Sequence, residues 1–320
     1  GILIPAILLF LLSFLILDSC LLILLRDDFL DSALLSRLAS LPVEARIAMT
    51  GNMAGRHRSP HRGSSVEFAE NVDVPGDDTR RLDWKAFARS DRFYIKEYEA
   101  DTNLRAIFVV DASGSMDFQS EGESKFEFAR RIAASLAYLL VNQGDAAGLS
   151  VCAEKLQLEI PPSRRAAHLE RIFSTLDSIA PAGETGLTDA LHAIASKAPR
   201  RSFVVILSDL LADIAPLANA LRHLQQQKHD VSIFHVMDRA EIDFDFERPH
   251  RFVDMETKTS IVAEPELIAE EYQNALDSFL TSVRRECAES RCDYRFTTTD
   301  SPLEPLLRDF LTARGIKAKH

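Results

Sequence analysis

Two apolar runs constrain this chain more than anything else in it: LRAIFVV at 104–110 and SFVVILS at 202–208. Each leads directly into an aspartate, Asp111 and Asp209. A strand that is apolar at nearly every position is buried on both faces, and such strands belong to parallel sheets covered by helices. The pattern around them agrees. Helical periodicity marks 125–142, 164–180, 188–198 and 214–227, and strands are expected at 146–153 and 230–237. After a polar stretch at 238–262 come a helix over 264–290, a strand over 292–299 and a helix over 302–314. This alternation predicts an α/β fold with a doubly wound, mostly parallel sheet over 104–314.

Upstream the grammar differs. A helix is expected at 28–41, closed by Pro42. A basic loop follows, with Arg56, His57, Arg58, His61 and Arg62, suited either to solvent or to anionic partners. Residues 66–74 and 92–99 alternate like strands, and 83–90 reads as a short helix. Residues 26–103 therefore form a smaller β-containing segment. Ahead of it, residues 1–25 hold eleven Leu, five Ile and two Phe against one charge, Asp18. As a helix that stretch spans about 37 Å, enough for a hydrocarbon core of about 30 Å. It is expected to be a transmembrane segment, and the cations Arg26, Arg37 and Arg46 would leave the rest on the cytoplasmic side of the membrane.

Charge and cysteine content exclude some functions. With 37 basic and 48 acidic residues the chain carries −11, a poor balance for general nucleic-acid binding. Cys20, Cys152, Cys287 and Cys292 make no C-x-x-C pair, which excludes a disulfide framework or a Cys-rich zinc site. His192, His223, His229 and His235 lack the spacing of a zinc helix and read as surface or core residues.

The chemistry gathers where the apolar runs end. In open α/β sheets, ligands bind beyond the carboxyl ends of the strands. Asp111, Ser113 and Ser115 stand at alternate positions after the first run, Asp209 after the second, and Thr185 in the loop before the 188–198 helix. Thr188 is the other threonine candidate. Carboxylates and hydroxyls converging at one sheet edge suit a hard cation with oxygen ligands, Mg²⁺ first and Mn²⁺ or Ca²⁺ as alternatives. The plainer reading is that Asp111 and the serines form a turn or cap the 125–142 helix.

The ordered set Asp111-x-Ser113-x-Ser115, Thr185 followed by Ala190-Leu191, and Asp209 resembles the metal-ion-dependent adhesion site of the von Willebrand factor A-like fold. That resemblance implies a site that binds rather than catalyses, with one coordination position open to an acidic residue of a partner. No Asp lies two residues beyond Asp111, as haloacid-dehalogenase-type phosphatases require, and no Ser sits in a G-x-S-x-G elbow.

Upstream, Gly55-Arg56-His57-Arg58-Ser59-Pro60, Val66-Glu67-Phe68-Ala69-Glu70, Pro75-Gly76-Asp77-Asp78, Arg81-Leu82-Asp83-Trp84 and Ala88-Arg89-Ser90-Asp91 resemble the bacterial domain of unknown function 58 family. The chain departs from that pattern at Asn71-Val72-Asp73-Val74, where the family often has an Arg and an aromatic residue. The resemblance implies a non-enzymatic adaptor or assembly partner of a MoxR-type AAA+ ATPase, docking through the bound Mg²⁺. Two rivals stand beside it: a metal-assisted hydrolase using the same aspartates, and a cell-envelope scaffold with a vestigial metal site.

Overall fold

The computed structural model describes residues 31–44, 68–72, 95–98, 104–154, 156–246 and 248–317. The expectations for residues 1–25, the basic loop, the 83–90 helix and the Pro75–Asp78 to Asp91 motifs lie outside these. Among the described residues, no helix is long and apolar enough to cross a membrane.

Helix α1 (Ser32–Leu38) is shorter than the 28–41 reading. Asp31 caps it, accepting from the Ala33 N–H at 2.8 Å and the Leu34 N–H at 3.1 Å. Strands β1 (Phe68–Val72) and β2 (Ile95–Tyr98) pair antiparallel, within the two segments whose alternation predicted strands.

The main body begins with β3 (Arg105–Asp111) and a 3-10 turn over Gly114–Asp117. Next come α2 (Lys125–Asn142), β4 (Ala146–Cys152), β5 (Leu156–Ser163), α3 (Ala166–Ser178) and α4 (Leu187–Lys197). After them run β6 (Phe203–Ser208), α5 (Ile214–Gln226), β7 (Asp230–Met237) and the single turn α6 (Arg239–Asp243). A hairpin of β8 (His250–Val253) and β9 (Ser260–Ala263) precedes α7 (Pro265–Glu289), β10 (Asp293–Thr298) and α8 (Leu303–Lys317).

Six strands form one sheet in the order β10-β7-β6-β3-β4-β5. All neighbours are parallel except the edge pair β4–β5. This is the strand arrangement of a von Willebrand factor A-like domain, as the apolar runs and the motif order led us to expect. Strand β5 escaped the sequence reading because Pro161 and Pro162 interrupt it. Proline is tolerated on an edge strand, where one side of the backbone has no partner to lose. The β8–β9 hairpin escaped it too, being short and mostly solvent-facing.

Alternation along the strands splits the interior into two cores. Ala106, Phe108 and Val110 of β3 join Phe203, Val205 and Leu207 of β6 under α2, α3 and α8. Ile107, Val109, Val204 and Ile206 face the other way, under α4, α5 and α7. Leu34, Leu35 and Leu38 of α1 pack into the first core. Gln143 fastens the same segment, accepting from the Val43 N–H at 3.0 Å and donating to the Leu41 carbonyl at 2.7 Å. A division at residue 103 therefore does not separate α1 from the larger domain's core. At the far end, the buried guanidinium of Arg314 donates to Asp230, to Ser232 Oγ at 2.8 Å and to the Glu44 carbonyl at 2.7 Å.

Candidate metal centre

From β3 the chain proceeds to β4 and β5 on one side, then returns to β6 on the other. The carboxyl ends of β3 and β6 therefore flank the topological switch point, where such sheets open a crevice. Val110 pairs with Leu207, so Asp111 and Ser208 end their strands side by side.

Asp111 is buried and accepts three hydrogen bonds. The Ser113 N–H reaches Oδ1 at 3.0 Å, the Ser208 hydroxyl reaches Oδ2 at 2.7 Å, and the Thr185 hydroxyl reaches Oδ2 at 3.3 Å. The Ser113 and Ser115 hydroxyls lie 3.1 Å apart. Between the two threonine candidates, Thr185 is the one whose hydroxyl meets Asp111; Thr188 lies within the first turn of α4.

Backbone bonds bring the Thr185 loop to this place. Gly114 N–H donates to the Gly183 carbonyl at 2.8 Å, Ala182 N–H to the Ala112 carbonyl at 2.9 Å, and Gly186 N–H to the Ala153 carbonyl. At Gly183 φ is +80°, a left-handed conformation that glycine adopts without penalty. A Cβ at Gly186 would lie 2.5 Å from the carbonyl oxygens of Ala153 and Glu154, so no larger residue lets the loop run this close.

Asp209 is buried at the end of β6. Its Oδ1 accepts from the Leu211 N–H at 3.3 Å, and the Leu210 N–H donates to Ser208 Oγ at 2.9 Å. Between them Leu210 holds φ at +55°, a strained value for a bulky side chain and one that tends to occur at functional sites.

The sequence reading missed several neighbours. Lys125, fully buried, donates to Asp209 Oδ2 at 2.8 Å and to Glu241 Oε1 at 2.6 Å. Burial works against its charge, but Asp209 and then Glu241 outweigh it and hold the ammonium above its usual pKa. A signal existed: a lysine in the first turn of a helix opposes the macrodipole and needs another reason to be there. Ser208, Glu241 and Glu256 carried no such signal. Glu241 has its carboxyl pushed up by burial, against the pull of Lys125. Glu256, in the turn of the β8–β9 hairpin, has its carboxyl against the Ser115 hydroxyl and the Thr185 N–H.

Electrostatically the site is short of positive charge. The one ammonium, Lys125, is paired with Asp209 and Glu241, while the charge of Asp209 also bears on Asp111 and Glu256. Burial first, and then the charge of Asp209, push Asp111 up to about 6, against hydrogen bonds from Ser208 and Ser113 that favour its ionised form. The capping reading fails: α2 is capped by Ser124, whose hydroxyl accepts from the Glu127 N–H at 3.2 Å while Glu127 returns the bond.

An all-oxygen donor set with uncompensated negative charge fits a hard divalent cation. Among the described residues, no group of three or more His, Cys, Asp or Glu side chains could hold a metal. Any ion here would thus depend on the hydroxyls of Ser113, Ser115 and Thr185. Among the described residues, the histidines do not enter. His235 is buried in β7 against Tyr294 Oη at 2.8 Å, and burial lowers its pKa to about 4. Cys152 is buried and its thiol pushed well up by burial, which leaves it inert.

A family model described as "Protein of unknown function DUF58" matches residues 73–278. Uncharacterized protein Rv1480 of Mycobacterium tuberculosis is 29% identical over 225 residues, covering 68% of this chain and 70% of its own length. Uncharacterized protein Mb1516 of Mycobacterium bovis matches to the same extent, at 29% over 225 residues. Among solved structures, conserved hypothetical protein BatB from Bacteroides thetaiotaomicron is 15% identical with a TM-score of 0.45, covering 68% of this chain and 100% of that one. The SpRpn10 VWA domain is 13% identical with a TM-score of 0.41, covering 65% of this chain and 95% of that one.

Proposed function

This chain belongs to the DUF58 family of proteins of unknown function, and from that premise we propose that its von Willebrand factor A-like domain is a non-enzymatic, metal-dependent protein-binding module. Family and fold together support an interaction module. The finer reading is that Asp111, Ser113, Ser115, Thr185 and Asp209 hold Mg²⁺, with Mn²⁺ or Ca²⁺ as substitutes. One observation carries it: two buried carboxylates and three hydroxyls, from three separate loops, gather at the switch point with too little positive charge among them. A bound divalent cation would supply an electrophilic centre able to accept a carboxylate oxygen from a partner. The chain's own part is to hold the hydroxyls in place and to keep Asp209 fixed between Lys125 and the Leu211 N–H.

The partner in this reading is a MoxR-type AAA+ ATPase or its substrate. The module works on the cytoplasmic side of a bacterial membrane, tethered through residues 1–25. Affinity capture from bacterial extract with the full chain tests both parts. A MoxR-type ATPase retained with Mg²⁺, released by EDTA and not retained by Asp209→Ala is the expected result. Retention indifferent to EDTA and to Asp209→Ala would move the weight to a scaffold with a vestigial site.

A metal-assisted hydrolase using the same aspartates, with the bound cation as Lewis acid, is the second reading. Hydrolysis of phosphoesters by the wild type, lost in Asp111→Ala, would establish it.

A further inference from the structure

The carboxyl edge of the sheet holds a cation of the chain's own. Lys125 is 0% exposed, and an ammonium is almost never buried so completely unless carboxylates meet it. It stands at the first position of α2, with Nζ 2.8 Å from Asp209 Oδ2 and 2.6 Å from Glu241 Oε1. The ring of Phe118 lies 5.9 Å from the same ammonium. The amino terminus of α2 adds partial positive charge beside it.

This ammonium is held in place. Glu241 is engaged at both oxygens, since Oε2 accepts from the Asp238 N–H at 2.8 Å. The Glu241 carbonyl accepts from the Tyr272 hydroxyl at 2.6 Å, which ties α6 to α7. Glu241 is thus a fixed anchor for Nζ, and Nζ in turn engages Asp209.

The two aspartates of the site therefore differ. Asp209 gives Oδ2 to the ammonium and Oδ1 to the Leu211 N–H at 3.3 Å, so a positive charge already answers it. The three donors to Asp111, from Ser113, Ser208 and Thr185, are all uncharged. The hydroxyls of Ser113, Ser115 and Thr185 bring no charge either. A divalent ion in this site would meet one uncompensated carboxylate and, beside the other, a fixed positive charge.

We propose that Lys125 is a built-in counter-cation that sets the affinity of this site. It weakens the hold on a divalent ion, so that the ion is retained only when a partner's carboxylate supplies the missing negative charge. Metal and partner then bind as a pair, each raising the affinity for the other by the same factor. The inference rests on the metal reading above and adds a residue outside the five assigned ligands. A lysine that merely kept Asp209 in position would act in the opposite sense, because its loss would loosen the site and weaken binding. The sign separates the two.

The test uses the full chain and Mn²⁺ alone, with affinity read by electron paramagnetic resonance titration and folding by circular dichroism. Lys125→Met, Glu241→Gln and the double variant are compared with wild type and Asp209→Ala. At an effective dielectric constant of about 20, a unit charge within several ångströms of a divalent ion changes its affinity by more than about tenfold. Lys125→Met is therefore expected to be less stable than wild type in EDTA, yet to bind Mn²⁺ at least about tenfold more tightly. Glu241→Gln leaves the ammonium charge to Asp209 alone and is expected to bind more weakly than wild type. The double variant removes both members of a buried pair, which costs less than losing one. It should bind at least about tenfold more tightly than Glu241→Gln, a comparison that stands even if Lys125→Met does not fold. Acetate, against chloride at equal ionic strength, should tighten Mn²⁺ binding by Glu241→Gln more than by the double variant. Binding by the double variant no tighter than by Glu241→Gln, or an equal effect of acetate on both, with Asp209→Ala unable to bind, would overturn the counter-cation and leave the metal reading standing. No Mn²⁺ binding by wild type or by any variant would overturn both.

Discussion

Asp111→Asn should stabilise the metal-free protein at neutral pH. Asp111 is 1% exposed, and burial raises its carboxyl in the folded chain from the ordinary 3.8 to about 6. An acid whose pKa is raised by folding contributes stability that is fully present below the unfolded value and lost as pH rises through the folded value. The resulting penalty, about 3 kcal/mol at its full size, is absent only below about pH 3, small near pH 4 and fully felt above about pH 7. Asparagine keeps the shape and removes the charge. Its amide can still accept from the Ser113 N–H, and the hydroxyls of Ser208 and Thr185 can turn to accept.

His235 complicates the wild-type curve taken alone. Burial lowers its pKa to about 4, so its protonation destabilises the fold as pH falls from 6.5 towards 4. That slope runs opposite to the Asp111 slope over nearly the same window, and the two partly cancel. The difference between variant and wild type isolates Asp111. Urea unfolding in EDTA from pH 4 to pH 8 should give nearly equal midpoints at the acid end. At pH 7.5 the variant's midpoint should be higher by about 1 M or more, given m-values of roughly 1–3 kcal/mol/M. Saturating Mg²⁺ should then stabilise the wild type and not the variant, reversing the order. A difference that does not change with pH, or an asparagine variant less stable than wild type at pH 7.5 in EDTA, would refute the electrostatic account of this pocket.

Three further outcomes follow from the same geometry. Lys125→Met leaves Asp209 and Glu241 buried without their cation, and should lower unfolding free energy in EDTA by about 3–5 kcal/mol; an unchanged urea midpoint would mean the ammonium contributes nothing. Gly186→Ala drives a methyl group to 2.5 Å from two backbone carbonyls and should cost about 1–3 kcal/mol, with Mn²⁺ affinity falling as the Thr185 loop shifts, both readable by thermal unfolding and metal titration. Ser124→Ala removes the α2 cap, costing about 1 kcal/mol, and should leave Mn²⁺ affinity as it was; a large loss of affinity would mean that Ser124 belongs to the site.

Much of this architecture is written locally. The runs at 104–110 and 202–208 are apolar because β3 and β6 lie between two layers of helices, and burial on both faces leaves no polar positions in such a strand. Asp111 and Asp209 stand out because each breaks such a run where it reaches the sheet's carboxyl edge. Helix α2 is read to the residue, since its apolar stripe belongs to one short stretch of sequence. Other features depend on encounters between distant segments. Strand β5 contains two prolines and is a strand only because an edge of the sheet was there to receive it. Lys125 looks like an exposed helix residue until α2 is laid against β6, where its ammonium meets Asp209, 84 positions away. Glu256 sits in a polar stretch without periodicity, and only the fold of the hairpin turns it onto Ser115 and Thr185. Periodicity reports which face of an element avoids water, a local quantity. Which charges share a buried pocket is fixed by long-range packing, because a charge is tolerated inside only when the rest of the chain brings its partners to it.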